Sequence, residues 1–183
     1  MLFRSLWAIT LGEAQYRWLQ KTLQESKAKY KFIFSHHVLG TGRGAVEMAD
    51  LYEWGGHNAN GEWAFDQKRP GWELPIHQLM VKNGVSVFFQ GHDHIFVRQE
   101  KDGIIYQETP SPADPNNGTE AQSFRSSYKT GDYLPAAGHL RVSVSPENAK
   151  VEYVRAWMPS DVSAGHKQGE VSFAYTVKPA QSR

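Results

Sequence analysis

Two helices are predicted from apolar positions that recur every three or four residues. Leucine and tyrosine side chains recur at this spacing over residues 11–27, so one face of that segment is apolar. Thr10 and Glu13 match a capping box that would begin this helix. The second predicted helix spans residues 74–83, and Gly84 directly after it is a typical stop signal.

Short apolar runs predict buried strands at residues 31–35 and 85–90. Each run follows one of the helices, as in an α/β repeat. Because a right-handed crossover joins parallel strands, the carboxyl ends of both strands should lie at the same edge of a sheet. Alternating residues around turn signals predict two hairpins, over residues 95–108 and 139–157, and a last strand at residues 171–177.

Two long segments have no regular pattern and are predicted as loops. Residues 40–71 contain seven glycines with tryptophans between them, and residues 109–137 are rich in Pro, Gly, Asn and Ser. A loop as long as the first, inside a compact domain, usually has a function. Helices, strands and loops in this order predict an α/β (α+β) fold in a single domain.

Composition excludes several classes of function. The 183 residues include 20 Lys and Arg against 19 Asp and Glu, a net charge of +1. No broad basic patch for nucleic acid is therefore predicted. No apolar run approaches the ~20 residues of a membrane-spanning helix, and residues 1–7 do not form a signal peptide. Cysteine is absent, which excludes disulfides, thiolate zinc sites and cysteine nucleophiles.

Histidines at the ends of the two buried strands are the candidate site. His92 and His94 follow the second strand, and His36 follows the first. His92 and His94 are two residues apart, so on an extended segment their side chains share one face. In a tight loop they would instead diverge toward two neighbouring metal ions. Three converging imidazoles suit Zn, Fe, Mn or Ni. The alternative is that they are ordinary loop histidines. His37 is expected to face away from His36.

These motifs resemble the calcineurin-like metallophosphoesterases, a family that includes the purple acid phosphatases. The resemblance rests on Gly91-His92-Asp93-His94 after a buried strand and on Phe34-Ser35-His36-His37 upstream. It covers residues 5–157, which leaves residues 158–183 as a C-terminal extension of one partial domain. It implies part of a β-sandwich with flanking helices, in α/β/β/α layers, with the N-terminal half missing.

The resemblance also implies an activity. A small-molecule phosphoester would be hydrolysed by hydroxide bound to two metal ions, of Fe, Mn or Zn. His36 and His92 would bind the second metal, and His94 would bind the first. The family also implies an extracytoplasmic location, periplasmic or secreted.

The departures from the family pattern concern its first half. Its Asp-x-His and Gly-Asn-His motifs do not occur upstream of His36, so the bridging aspartate has no counterpart. Three imidazoles can hold one metal ion but not a well-formed pair. We therefore expect the chain to be a fragment, from an incomplete gene model, and a poor phosphatase by itself.

Weaker candidates lie in the glycine-rich segment of residues 40–71. His57 would act as a general acid toward the leaving group, and Arg43 would contact a phosphate oxygen. Trp54, Trp63 and Trp72 would line a pocket for an organic leaving group. The alternatives are a solvated histidine, a surface arginine and tryptophans that pack the loop.

Two other functions compete with the hydrolase. A cupin-like, non-haem metal oxygenase also uses a His-x-His pair, but it requires an all-β barrel, which the predicted helices disfavour. A non-catalytic module that binds a metal ion or a carbohydrate would show no turnover with any metal.

Overall fold

The computed structural model describes residues 6–39, 45–112, 125–134 and 137–179. The helices are α1 (Glu13–Glu25), α2 (Tyr52–Gly55), α3 (Phe65–Lys68), α4 (Ile76–Lys82) and α5 (Pro159–Ser163), with 3-10 turns at Leu6–Ala8, Ala45–Met48 and Arg125–Ser127. The strands are β1 (Phe32–Phe34), β2 (Val87–Gln90), β3 (Phe96–Lys101), β4 (Ile104–Glu108), β5 (Asp132–Leu134), β6 (Gly138–Val144), β7 (Ala149–Arg155) and β8 (Val171–Val177).

Two sheets and one layer of helices make up the described fold. The first sheet has the order β1-β2-β4-β3-β5 and the second has the order β6-β7-β8. β1 pairs with β2 in parallel, as the crossover rule predicts, and β2 pairs with β4 in parallel. Both predicted hairpins and the last strand are confirmed. The α/β (α+β) class is therefore confirmed.

Alternate residues of the first sheet face two different cores. Phe88 and Tyr106 pack with α1 and α4 in the larger core. Phe89 and Ile105 face the other way and pack against Val151 of the second sheet. This alternation follows from the two-residue period of a strand. The described residues thus form three of the four expected layers, in the order helices, sheet, sheet.

The start of α1 differs from the sequence prediction. The helix begins at Glu13, and Gly12 precedes it with a φ of 79° and no side-chain cap. The Thr10 hydroxyl accepts the Gly12 N–H at 2.9 Å, while the Glu13 carboxylate accepts hydrogen bonds from Trp72 and Arg17. The predicted capping box is therefore wrong, because Thr10 bonds to Gly12 and the Glu13 carboxylate is taken by Arg17 in the next turn and by Trp72 far along the chain.

Both predicted loops contain regular structure. Short helices α2 and α3 lie within residues 40–71, where the sequence has no periodicity. β5 lies within residues 109–137 and pairs with β3 at the edge of the first sheet. Three- and four-residue elements are too short to give a pattern, so only pairing and packing reveal them. No helix among the described residues has the length and apolar character needed to span a membrane.

One ion-pair network in the second sheet predicts a pH dependence of stability. Glu152 accepts hydrogen bonds from Arg141 (2.9 Å) and Lys150 (2.7 Å). These bonds lower the pKa of Glu152 from its ordinary 4.5 to about 2. Because the folded-state pKa is depressed, this contribution to stability is complete above pH 4.5 and is lost as the pH falls toward 2.

We expect Glu152→Gln to flatten the fall of the unfolding free energy over this pH range, measured by urea denaturation at a series of pH values. Glu147→Gln is the control, since Glu147 forms no side-chain ion pair with the described residues. An equal acid dependence in wild type and Glu152→Gln would contradict the prediction.

Candidate functional site

The ends of β1 and β2 meet at one edge of the first sheet. Their register pairs Phe32 with Val87 and Phe34 with Phe89. The pairing continues past the ends of the strands. The Ser35 N–H donates to the Phe89 carbonyl at 2.9 Å, and the Gly91 N–H donates to the His36 carbonyl at 3.2 Å. The backbone that carries His36 is therefore hydrogen-bonded to the backbone that leads into His92. The expected convergence of the two strand ends is confirmed.

Three exposed imidazoles lie together at this edge. The ring centroids of His36 and His92 are 5.5 Å apart. The His37 ring lies 5.1 Å from His36 and 5.4 Å from His92. His37 does not face away as expected, because β1 ends at Phe34 and strand alternation ends with it. His94 is also exposed, but among the described residues its ring contacts none of these three.

The segment that carries His92 and His94 has an unusual backbone. Both residues have positive φ, at 81° and 58°. A non-glycine residue in this region costs about 1–3 kcal/mol, and such residues cluster at functional sites. These two positive-φ residues flank Asp93. Both histidine side chains are exposed to solvent, while Asp93 between them is buried.

Asp93 anchors the histidine turn to the protein interior. Its backbone N–H donates to Oε1 of Glu108 at 3.0 Å, and its Oδ2 accepts the Tyr128 hydroxyl at 2.8 Å. Asp93, Glu108 and Tyr128 are all buried. The sequence indicates that Asp93 would point away from the histidines, but it gives no signal for these partners, which lie 15 and 35 residues further along the chain.

Gln90 anchors the other side of the site. This buried residue ends β2, and its side-chain carbonyl accepts the Leu39 N–H at 2.9 Å. Its backbone carbonyl accepts the Thr109 N–H at 2.7 Å. Gln90 thus ties the chain after His37 to the strands beneath it. Sequence reasoning did not find this role, because a glutamine at a strand end has no distinctive pattern.

A cavity of about 320 Å³ adjoins His36. Its lining includes His36 and Gln90 and the rings of Phe34 and Phe89. The two phenylalanine rings are stacked, with centroids 4.9 Å apart and planes within 9°. The space beside His36 is therefore bounded on one side by an apolar aromatic surface.

The donor atoms at this edge do not fit a two-metal centre. The clustered side chains of His36, His37 and His92 are all imidazoles, whereas the expected metal pair requires a bridging carboxylate. The nearby carboxylate of Asp93 is buried and accepts from Tyr128. In the part of the chain that the structure describes, no group of three or more His, Asp or Glu side chains is arranged to hold a metal ion.

One of the weaker candidates, Trp54, lines a cavity of about 520 Å³ together with His36. The His57 ring lies 5.2 Å from Trp63, and its Nδ1 is 3.0 Å from the Asp50 carbonyl oxygen. Trp54 and Trp72 are buried in the core, and Trp63 is half exposed. Arg43, the predicted phosphate contact, lies outside the described residues.

A buried histidine away from the imidazole cluster, His77, has a hydrogen-bond partner at each ring nitrogen. Nδ1 of His77 on α4 is 2.6 Å from the Tyr106 hydroxyl, and Nε2 is 2.8 Å from Oδ2 of Asp102. Burial raises the pKa of Tyr106, and the hydrogen bond from His77 lowers the pKa of Asp102. His77 therefore joins α4 to the β3–β4 hairpin.

Comparison with known proteins supports a fold and nothing finer. No family model and no curated protein matches the chain. Among solved structures, GAP50, the anchor in the inner membrane complex of Plasmodium, matches with a TM-score of 0.56 at 10% identity, over 93% of this chain and 44% of that one. The purple acid phosphatase PPD1 from yellow lupin (Lupinus luteus) seeds matches with a TM-score of 0.51 at 16% identity, over 92% of this chain and 28% of that one.

The chain thus spans less than half the length of either solved structure. Identities this low show a shared fold alone. One of these structures is a phosphatase and the other is an anchor, so the two matches do not select an activity. The chain therefore has a phosphatase-like α+β fold.

Proposed function

We propose that this chain supplies the imidazole ligands of a metal-dependent phosphoester hydrolase. The observation that carries the proposal is the 5.5 Å separation of the His36 and His92 rings, beyond the adjoining ends of two parallel strands. In α/β sheets this edge is where ligands bind. The positive φ of His92 and His94, which keeps both side chains exposed, supports the same site.

The proposal assigns His36, His92 and His94 as ligands for Fe, Mn or Zn; imidazole suits Fe and Zn, whereas Mn prefers additional oxygen ligands. The substrate class is a small phosphoester, and the location is extracytoplasmic. Since the described residues do not form a two-metal centre, the missing oxygen ligands would have to come from outside the described residues. We therefore expect the chain alone to bind metal weakly and to have little hydrolase activity.

The test combines metal titration with two assays on the purified chain. Calorimetric titration with Mn²⁺, Zn²⁺ and Fe²⁺ is expected to show binding that His36→Ala and His92→Ala abolish. His166→Ala is the control, because His166 is an exposed histidine whose ring stacks on Trp157 and not on the three imidazoles. Hydrolysis of p-nitrophenyl phosphate and of bis(p-nitrophenyl) phosphate is expected to remain close to the blank.

Two outcomes would contradict the proposal. Absence of binding with all three metals, or binding that His36→Ala and His92→Ala leave unchanged, would exclude the assigned ligands. Turnover at the rate of a complete phosphatase would contradict the expectation of low activity.

A second candidate function is a non-catalytic module. Among the described residues no carboxylate joins the imidazole cluster, which favours this candidate, and so does the fold match to an anchor protein. This candidate, a module that binds a metal ion or a carbohydrate, predicts no turnover with any metal. The cupin-like alternative requires an all-β barrel and is not supported, because the first sheet is partly parallel and packs against α1 and α4.

A further inference from the structure

Arg155, at the end of β7, is a buried cation without a counter-ion among the described residues. Only 6% of it is exposed, and its guanidinium forms no hydrogen bond or ion pair with them. Glu152 on the same strand pairs instead with Arg141. The Glu170 carboxylate accepts the Trp157 indole N–H at 2.8 Å. Because an unpaired charge is costly to bury, Arg155 calls for an anion from outside these residues.

Aromatic rings hold the plane of this guanidinium. Its central carbon lies 3.9 Å from the ring centroid of Trp157 and 5.1 Å from that of Tyr153. Both rings are fixed in turn, since His166 stacks on Trp157 at 4.0 Å and Phe96 stacks on Tyr153 at 4.7 Å, between centroids. Cation–π attraction therefore orients the guanidinium but uses none of its N–H groups.

The N–H edge of the Arg155 guanidinium has no acceptor among the described residues. Nε is inaccessible to solvent, whereas Nη1 and Nη2 keep contact with it. A planar guanidinium presents its N–H groups as a fork that matches two oxygens of a phosphate or a carboxylate. The fixed plane, the positive charge and the accessible Nη atoms together suit an oxyanion.

Arg155 lies at the end of the second sheet that adjoins the histidine turn. The Ser111 N–H donates to the His94 carbonyl at 3.4 Å, and the Gly138 N–H donates to the Ser111 carbonyl at 3.1 Å. Gly138 is the cross-strand partner of Arg155. Two backbone hydrogen bonds and one strand pairing thus connect Arg155 with His94.

We propose that Arg155 binds an oxyanion, a phosphate or carboxylate group, through the N–H edge of its guanidinium. Tyr153 and Trp157 are positioning residues, because they hold the guanidinium plane and leave its edge to the anion. The bound anion supplies the negative charge that the described residues do not. The site requires no metal ion, so the proposal does not depend on the proposed function.

NMR titration of the purified, metal-free chain with sodium phosphate, and separately with sodium acetate, tests the proposal. Sodium chloride keeps the ionic strength constant. The indole N–H resonance of Trp157, assigned from its loss in Trp157→Phe, reports on the site because this ring contacts the guanidinium. It is expected to shift saturably with phosphate, with acetate or with both. A response to phosphate alone indicates a phosphoryl ligand, and a response to acetate alone indicates a carboxylate ligand.

Arg155→Met removes the charge and is expected to weaken binding of the active anion by at least about tenfold. Arg155→Lys keeps the charge without the fork and is expected to weaken it as well. Arg141→Met is the matched control, because Arg141 is a half-exposed arginine of the same sheet that is already paired with Glu152. Circular dichroism of each variant separates lost binding from a lost fold.

Three results would overturn the proposal. The first is a Trp157 resonance that shifts with neither anion in the wild type, a result that needs no variant to fold. The second is a saturable shift that persists unchanged in Arg155→Met or in Arg155→Lys. The third is an equal loss of binding in Arg155→Met and Arg141→Met.

Discussion

Glu53→Ala is expected to lower the free energy of unfolding by about 3–5 kcal/mol, the cost of removing one partner from a buried ion pair. Glu53 is buried on α2, and its Oε2 accepts from Nε of Arg69 at 2.5 Å. Its Oε1 accepts the Leu11 N–H at 2.8 Å. Arg69 also donates to the Trp7 carbonyl at 2.6 Å. The carboxylate therefore holds the segment before α1 against α2 and α3.

Loss of the Glu53 carboxylate would leave the Arg69 guanidinium largely buried without its counter-ion. Guanidinium chloride denaturation of wild type and variant measures the change. Glu53→Gln keeps two polar side-chain atoms and is expected to lower the free energy of unfolding less than Glu53→Ala does. Glu25→Ala is the control, because Glu25 pairs with Lys21 at 3.9 Å on the exposed face of α1. Exposed pairs contribute about 0–1 kcal/mol, so an equal loss in both alanine variants would contradict the argument.

Asp93→Ala is expected to cost about 2 kcal/mol, because it deprives the buried Tyr128 hydroxyl of an acceptor. It should also release the turn that holds His92 and His94 at positive φ, since Asp93 is its buried anchor. The imidazole resonances of both histidines are then expected to shift or broaden in NMR spectra.

A double-mutant cycle with Tyr128→Phe tests whether the two side chains act together. We expect Asp93→Ala and Tyr128→Phe to cost less in combination than the sum of their separate costs. Asp132→Ala, a half-exposed aspartate in β5, is the control and is expected to stay within ~0.5 kcal/mol of wild type. Additive losses, or unchanged histidine resonances in Asp93→Ala, would argue against the anchoring role.

The site was predictable where it depends on local order. The apolar runs before His36 and before His92, joined by a helix, predict parallel strands with adjacent ends, and the structure confirms this. The assignment of His36, His92 and His94 as metal ligands stays a prediction. The position of His37 was not predictable, because strand alternation stops where β1 ends.

The amino-acid sequence by itself determined which segments form the longer helices and strands and which of their faces are buried. Those properties follow from periodic apolar positions close together in the chain. Only the tertiary structure decided which imidazoles meet and which partners hold Asp93 and Glu53. Each of these depends on contacts between residues far apart in sequence, such as Arg69 with Trp7, and a local pattern does not contain them.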